Sequence, residues 1–301
     1  MMRIGAALAA LCIATTAQAE SVKLTGRFPA AERQVAMLRS VAVERFSGRD
    51  GAALSLALER ALANGRHFDV VPADRRGDAG GADGVISGAV SAGVQESDFD
   101  KTEKRCVERD ATRKCTKEEQ VKVRCTRRIV EFSADVRVVD AAKNRVLFSA
   151  ERPKRDELTW CGDEEPARTA EQTVRTFIAT TASELAAAFT PRDESYSVRF
   201  RESTKGLPKE AERLFKDIVK QTQRDLPGAC AAWRAMAETI PDHPSILFDL
   251  GLCAEAAGNW TEASDFYAKA APLLGRDSEA ATGVRRIADL TVARADDAAR
   301  R

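Results

Sequence analysis

The segment Leu38–Arg75, LRSVAVERFSGRDGAALSLALERALANGRHFDVVPADR, carries the clearest pattern of secondary structure in the 301-residue chain. Alternating apolar residues in RSVAV predict a strand, and SGRD predicts a turn that can cap a helix. Apolar residues then recur on one helical face, and NG ends this helix: Leu54, Leu58, Ala61 and Leu62. HFDVV, closed by Pro72, predicts a second strand. The segment therefore predicts a β-α-β unit whose helix covers one face of a sheet.

Three further strand patterns follow a loop at residues 73–84 that is rich in Gly, Asp and Arg. They are GVISGAVSAGVQ (84–95), VKVRCTRRIVEFSADVRVVD (121–140) and RVLFSAERP (145–153), with AAKN as the turn between the last two. An amphipathic helix is predicted from about Pro166 to Phe189, and Pro191 marks a boundary. We therefore predict an α/β domain over residues 38–191 that contains a long antiparallel meander.

The order of these patterns resembles that of a known group of cell-envelope domains. RSVAVERFSG, FDVVPADR, ADGVISGAV and VRVVDAAKNRVLFSA are similar to the α/β domain shared by the curli-secretion lipoprotein, the amino-terminal domain of TolB and the lipoprotein activators of penicillin-binding proteins. The resemblance covers about residues 38–190. It implies a non-enzymatic envelope protein that works by contacting other proteins.

The carboxyl-terminal part has the pattern of a helical repeat. The segment 244–274, PSILFDLGLCAEAAGNWTEASDFYAKAAPLL, matches the spacing of one tetratricopeptide repeat, with these residues at the characteristic positions: Leu250, Gly251, Gly258, Trp260, Ala263, Tyr267 and Ala270. PGACAAWRAMAETIPDHP (227–244) fits the second helix of a preceding repeat. An apolar stripe suits a capping helix: Val284, Ile287, Ala288 and Val292. We predict a helical-repeat domain over residues 192–301, after an amino-terminal segment at 20–37, and hence an α+β fold class.

This repeat suggests a partner-binding surface. In repeats that bind peptides the first helix lines a concave groove, and the matched register places four residues on that face: Ser245, Phe248, Leu252 and Glu255. We expect an apolar stripe flanked by polar groups. In so short an array, a neighbouring helix or the first domain could instead cover the stripe.

The first 20 residues, MMRIGAALAALCIATTAQAE, have the composition of a secretory signal peptide. Arg3 supplies the positive charge, a short apolar stretch follows, and an A-x-A pattern predicts cleavage after Ala19. Leu11 precedes Cys12 where a lipoprotein signal needs a small residue, which departs from the lipoprotein members of the group above. We therefore predict a periplasmic protein with neither a lipid anchor nor membrane insertion.

The charge pattern argues against nucleic acid as a partner. Lys and Arg total 47 and Asp and Glu total 46, so loss of Arg3 with the signal peptide would leave the two signs equal. Residues 101–128 hold eleven Lys or Arg against five Asp or Glu, but this run has no interleaved aromatic residues for base stacking. We expect the solvated face of an exposed hairpin, with binding of an acidic protein as the alternative.

Cleavage after Ala19 would remove Cys12 and leave six cysteines: Cys106, Cys115, Cys125, Cys161, Cys230 and Cys253. An even number in an exported chain favours disulfides. Structural zinc ligands usually come in pairs about two to four residues apart. No such pair and no neighbouring histidine occurs here, so a zinc site is disfavoured.

Turn symmetry predicts which cysteines pair. Facing residues of an antiparallel hairpin lie at equal distances from the turn, and the same holds for two antiparallel helices. The turns ERDATR, AAKN and IPDHP each lie midway between two cysteines. The preferred pairs are Cys106 with Cys115, Cys125 with Cys161, and Cys230 with Cys253. Two other pairings of the first four stay open, and the last two could instead be small core residues.

No sequence motif supports catalysis. The two histidines, His67 and His243, lie before a strand and in a turn between helices, where structural roles suffice. There is no G-x-S-x-G elbow, and GGADGVISGAV lacks the helix and lysine of a phosphate-binding loop. We expect no enzyme activity, no metal, no cofactor and no small-molecule substrate.

These patterns together predict a non-enzymatic exported scaffold that binds another cell-envelope protein through its helical repeats, its charged hairpin or both. The alternative within binding proteins is a subunit of an outer-membrane secretion or polymer-synthesis assembly. The alternative from another class is an envelope hydrolase, which a polar cleft holding His67 or His243 beside a carboxylate would favour.

Overall fold

The computed structural model describes residues 20–73 and 81–301. The predicted signal peptide and most of the loop at 73–84 lie outside the described residues. The chain divides into two compact units. One, which we call the α/β unit, contains residues 27–192 and 293–301, and the other, the helical unit, contains residues 20–26 and 193–292.

The elements of the described residues alternate at first and become all helical toward the carboxyl terminus. The strands are β1 (Ser21–Phe28), β2 (Ser40–Val43), β3 (Asp69–Val71), β4 (Gly84–Arg109), β5 (Cys115–Asp140), β6 (Arg145–Cys161) and β7 (Arg192–Arg199). The helices are α1 (Arg33–Ala36), α2 (Gly51–Gly65), α3 (Ala170–Phe189), α4 (Lys209–Gln221), α5 (Leu226–Thr239), α6 (Pro244–Ala256), α7 (Trp260–Leu274) and α8 (Glu279–Arg300). This composition confirms the predicted α+β fold class.

The α/β unit is built on a five-stranded sheet in the order β3-β2-β4-β5-β6. β2 runs parallel to β3 and to β4, and the pairs β4-β5 and β5-β6 are antiparallel. The β-α-β unit predicted from Leu38–Arg75 is therefore present, and the antiparallel meander follows it. Strand β7, at Arg192–Arg199, was not predicted and pairs with β1 in a separate two-stranded sheet.

Helices α2 and α3 share one apolar core with the sheet. The helix residues of this core include Leu54, Leu58, Leu62, Leu185 and Phe189, all fully buried. Alternate residues of β5 are buried in the same core: Phe132, Ala134, Val136 and Val138. The residues between them are exposed or half-buried, because successive side chains of a strand point to opposite faces.

Helix α3 begins at Ala170, four residues later than the start expected near Pro166. The reason is a capping box. The Thr169 hydroxyl accepts a hydrogen bond from the Gln172 amide, and the Gln172 side chain accepts one from the Thr169 amide. These two bonds satisfy donors that the first turn of a helix cannot pair internally.

Strands β4 and β5 form a hairpin of 26 residues on each side, much longer than predicted. β6 pairs with β5 only as far as Cys161 opposite Cys125. Beyond that point β4 and β5 continue alone to the turn, and we call residues 99–125 the arm. Phe99 to Arg109 spans about 33 Å at the rise of an extended strand. The sequence pattern did not predict this length, because most residues there are charged or polar. Without a regular alternation of apolar and polar residues, the pattern of a strand is missing.

The turn of the arm is held by Asp110. Its carboxylate accepts hydrogen bonds from the amides of Thr112 and Lys114 and from the Thr112 hydroxyl. These bonds lower the pKa of Asp110, since they favour the charged form, and the Thr112 hydroxyl is the first of them. Arg113 adopts φ 68°, the left-handed conformation that such a turn requires. The pairing of β4 with β5 sets Cys106 opposite Glu118 and Arg109 opposite Cys115, so the turn is centred near Thr112 and not at the predicted midpoint between Asp110 and Ala111. The irregular pairing near the turn means that Cys106 and Cys115 do not face each other directly.

The helical unit is organised around α6, whose residues Ser245 to Glu255 are all buried. The ring of Tyr267 on α7 lies between two glycines. A Cβ added to Gly251 on α6 would meet this ring at 2.7 Å, and one added to Gly283 on α8 would meet it at 2.8 Å. Only glycine at these two positions leaves room for the tyrosine. Gly251 was noted in the repeat pattern, whereas the role of Gly283 was not anticipated.

Candidate interaction surfaces

The arm is crosslinked near both of its ends. Disulfides join Cys106 to Cys115 near the turn and Cys125 to Cys161 at the base, with Cα separations of 5.7 and 3.9 Å. A third disulfide joins Cys230 to Cys253 in the helical unit. These are the pairs that turn symmetry predicts. The cysteines of the Cys106–Cys125 stretch therefore belong to disulfides, and the zinc interpretation of that stretch is wrong.

The two faces of the arm differ in charge pairing. On one face Glu103 accepts ion pairs from Lys101 at 3.1 Å and Arg105 at 3.6 Å. The opposite face carries Lys104 and Lys122, diagonal neighbours in the pairing of β4 with β5. Within the described part of the chain neither lysine has an ion-pair partner. The same face also carries Asp100 and Glu118, but in the described structure neither forms an ion pair with these lysines. We define this face by Lys104 and Lys122 and call it the lysine face.

Apolar groups also lie exposed on the arm. Phe99 at its base is 42% exposed and Val107 near its turn is 44% exposed. They lie about 26 Å apart along β4, so each is a single exposed apolar side chain and not part of a continuous patch.

The base of the arm is fixed by Arg128, which the sequence counted among its exposed cations. The Arg128 side chain is 7% exposed and pairs with Glu96 at 3.8 Å. It also donates a hydrogen bond to the carbonyl of Arg168 and lies 5.3 Å from the centre of the Trp160 ring. Arg128 is therefore a structural residue, and it is not available to a partner.

The four residues assigned to a peptide groove are all buried: Ser245 at 1%, Phe248 and Leu252 at 0%, and Glu255 at 5% exposure. Phe248 lies 5.5 Å from the Tyr267 ring, between centroids. Ser245 donates a hydrogen bond to the carbonyl of Ser203 at 2.7 Å. These residues therefore lie in the interior of the helical unit and form no open groove.

Glu255 is the centre of a buried polar cluster. Its carboxylate accepts two hydrogen bonds from Arg286, both 2.6 Å long, and one each from the hydroxyls of Tyr267 at 2.6 Å and Tyr196 at 2.9 Å. Burial is the first cause of a raised pKa for both tyrosines, and the Glu255 charge adds to it. Four donors satisfy the carboxylate, so the cluster ties α6 to α7, α8 and β7.

An extended segment of the chain itself covers the same side of α6. We call residues 196–205 the strap. Besides the Tyr196 and Ser203 contacts, the Arg201 amide donates to Asp249 at 2.8 Å and the Lys205 carbonyl lies 3.1 Å from Nε2 of His243. Phe200 stacks on Trp233 with ring centroids 5.1 Å apart. No sequence signal identified the strap, although the alternation of Tyr196, Val198 and Phe200 was available to indicate β7.

The two histidines have structural contacts in the described residues. His67 Nε2 lies 2.9 Å from the carbonyl of Ala36, so it donates there, and Nδ1 lies 3.3 Å from the Arg300 guanidinium. Burial lowers the pKa of His67 and also that of His243, which favours neutral imidazoles. Each ring uses Nε2 on a backbone carbonyl. Among the described residues no group of three or more His, Cys, Asp or Glu side chains is placed to hold a metal ion.

No protein-family model and no curated protein sequence matches the chain. Among solved structures, two dodecamers of PelC from Paraburkholderia phytofirmans are 21% and 18% identical, cover 56% and 54% of this chain and 98% and 96% of theirs, and have TM-scores of 0.28 and 0.27. A neuraminyllactose-binding hemagglutinin homologue from Helicobacter pylori is 11% identical over 60% of this chain and 91% of its own, with a TM-score of 0.31. TM-scores this low carry no argument about function. Of the helices in the described ranges, none combines the length and apolar character of a membrane span.

Proposed function

We propose that the chain is an exported, non-enzymatic adaptor that binds another cell-envelope protein through the arm. The observation that carries this proposal is the arm itself. It extends about 33 Å beyond the third strand of the meander, is crosslinked near both ends, and presents charged and apolar side chains instead of a core.

The chemistry of the arm indicates an acidic partner surface. The lysine face offers two cations that form no ion pair among the described residues, and Arg113 and Lys114 add charge at the turn. Complementary charge chiefly sets the rate and specificity of association, whereas exposed apolar groups such as Phe99 supply affinity. A crosslinked arm also loses less conformational entropy on binding than a free hairpin would.

The compartment follows from the cysteines and the leader pattern. Three disulfides persist in an oxidising compartment such as the periplasm, and the A-x-A pattern before Glu20 is that of a cleaved signal peptide. A periplasmic location also suits a partner in the cell envelope. The repeat pattern of α6 and α7 supports a tetratricopeptide-like helical unit, but its groove residues are buried, so the proposal assigns partner binding to the arm.

The proposal assigns no catalysis because the contacts of both histidines are structural. A general base must present a ring nitrogen to its substrate. His67 and His243 instead direct Nε2 to the carbonyls of Ala36 and Lys205.

Site-specific photo-crosslinking in cells tests the proposal. A photoreactive residue at Arg113, in the turn of the arm, should capture one partner protein that mass spectrometry identifies. The matched control is Leu56, which is 46% exposed on α2 and should capture nothing above background. Equal capture at both positions, or none at Arg113, contradicts the proposal. If the captured protein belongs to an outer-membrane secretion or polymer-synthesis assembly, the chain is a subunit of that assembly.

A further inference from the structure

We propose that the strap, residues 196–205, is a displaceable occupant of α6, and that α6 takes in its place an extended peptide of another protein that carries an aromatic residue followed directly by a basic one. This second binding site is independent of the arm. The chain's own segment, seated on the helix, shows which chemistry fits there.

The strap contacts α6 as a bound peptide would, through backbone groups and a few anchoring side chains. The Arg201 amide is bonded to Asp249, and the carbonyls of Ser203 and Lys205 are bonded to Ser245 and His243. Backbone contacts of this kind hold an extended chain with little regard to its sequence. The bonded groups on the helical side run from the N-cap of α6, His243, to its middle at Asp249.

Side-chain contacts add the specificity. Phe200 is 4% exposed and stacks on Trp233. Arg201 follows directly, and its guanidinium pairs with Glu279 at 3.3 Å. An aromatic residue followed by a basic one is therefore the pattern that this surface recognises.

The strap is only lightly buried. Phe200 is its one buried residue in the described structure, whereas Ser197, Arg199, Glu202, Ser203 and Lys205 are exposed. Segments with few buried apolar contacts open at a lower free energy than the core beneath them.

The fit between strap and helices is also incomplete. Among the residues that the strap contacts, three buried polar atoms have no hydrogen-bond partner in the described structure: Oδ2 of Asp249, Nε1 of Trp233 and Nδ1 of His243. Native interiors satisfy nearly all such groups. Because Asp249, Trp233 and His243 are all residues that the strap contacts, a peptide that pairs even one of these atoms holds an advantage over the strap.

A labelled peptide with the sequence of residues 194–206, ESYSVRFRESTKG, tests the site by fluorescence anisotropy with the mature chain. The wild-type chain should bind it weakly, because the tethered strap competes at a high effective concentration. The variant Phe200→Ala weakens the strap and should bind it at least about tenfold more tightly. A control peptide in which alanine replaces Tyr196, Phe200 and Arg201 should not bind. Failure of the variant to bind, or equal binding of the control peptide, overturns the proposal.

Hydrogen–deuterium exchange tests the proposal on the wild-type chain, without a substitution that could unfold it. The amides of Phe200 and Arg201, bonded to Glu20 and Asp249, should exchange at least about tenfold faster than those in the middle of α6. Exchange of strap and helix at one common rate would show that the strap leaves only on global unfolding, and would also overturn the proposal.

Discussion

Replacement of Glu255 by glutamine should strongly destabilise the helical unit. The Glu255 side chain is 1% exposed and its Arg286 partner 13% exposed, so the ion pair between them is largely removed from water. Breaking a buried pair by removing one charge costs about 3–5 kcal/mol, because the remaining charge stays buried without compensation. Glutamine keeps the shape and one acceptor oxygen, so we expect about 3 kcal/mol, at the lower end of that range.

The expected change is large enough to measure directly. For a domain of roughly 100 residues, 1 kcal/mol shifts the melting temperature by about 4–8 °C. Glu255→Gln should therefore lower the melting temperature of the helical unit by about 12–24 °C. Circular dichroism at 222 nm, with heat or urea as the denaturant, follows the helices of both units, and the transition that Glu255→Gln shifts is that of the helical unit.

A matched control separates burial from simple loss of charge. Glu262 pairs with Arg234 at 2.9 Å, but the two side chains are 38% and 55% exposed. Exposed pairs contribute about 0–1 kcal/mol, so Glu262→Gln should change the melting temperature by only a few degrees. If the two variants are destabilised equally, the Glu255 cluster does not hold the unit together and the reasoning is refuted.

Three further predictions follow from other parts of the chain. Gly283→Ala should lower the free energy of unfolding in urea by about 1–3 kcal/mol, because the added Cβ would meet the Tyr267 ring at 2.8 Å. The control Gly93→Ala, whose Cβ would have no atom within 4 Å, should stay within about 0.5 kcal/mol of wild type. Burial raises the pKa of Asp249 well above 3.8, Glu279 and Glu202 add to the rise and Arg201 opposes it. The contribution of Asp249 to the stability of the helical unit should therefore be fully present at acid pH and be lost as pH rises through the raised pKa. This contribution is the difference between the pH profiles of wild type and Asp249→Asn in urea unfolding, and two parallel profiles would contradict it. Replacing Cys125 and Cys161 together by serine opens a loop of 36 residues and should lower the free energy of unfolding in urea by up to about 3.8 kcal/mol through loop entropy. An unchanged free energy of unfolding would show that this crosslink does not stabilise the fold.

The sequence predicts those parts of the fold in which apolar residues repeat with a clear period. Leu54, Leu58 and Leu62 lie on one face of α2, and alternate residues of β5 enter the core with them. Turn symmetry also places Cys125 opposite Cys161, because facing positions of a regular hairpin follow from its midpoint. These are local properties, and local patterns encode them. Turn symmetry does not give the register near the turn of the arm, where irregular pairing sets Cys106 opposite Glu118.

The arm and the strap are held by backbone pairing, disulfides and contacts between residues far apart in the sequence. The arm has no apolar face to reveal its length, and backbone pairing with disulfides holds it together instead. Arg128 looks like one more exposed cation in the sequence, yet Trp160 and Glu96 bury it. The groove residues were placed on the correct helix, but the segment that covers them lies 42 residues away from Ser245 at its Ser203 contact. Such long-range contacts leave no periodic signal in a single sequence.

The most direct test of the account is charge reversal on the lysine face. Lys104→Glu with Lys122→Glu should reduce photo-crosslinking from Arg113 by at least about tenfold, because two attractive contacts to an acidic partner become repulsive. The matched control, Lys101→Glu with Glu103→Lys, reverses a charge pair on the opposite face of the same arm and keeps the net charge, so it should leave the yield unchanged. Undiminished crosslinking after reversal of Lys104 and Lys122, in a chain that still melts like the wild type, would contradict the claim that the arm binds its partner through this face.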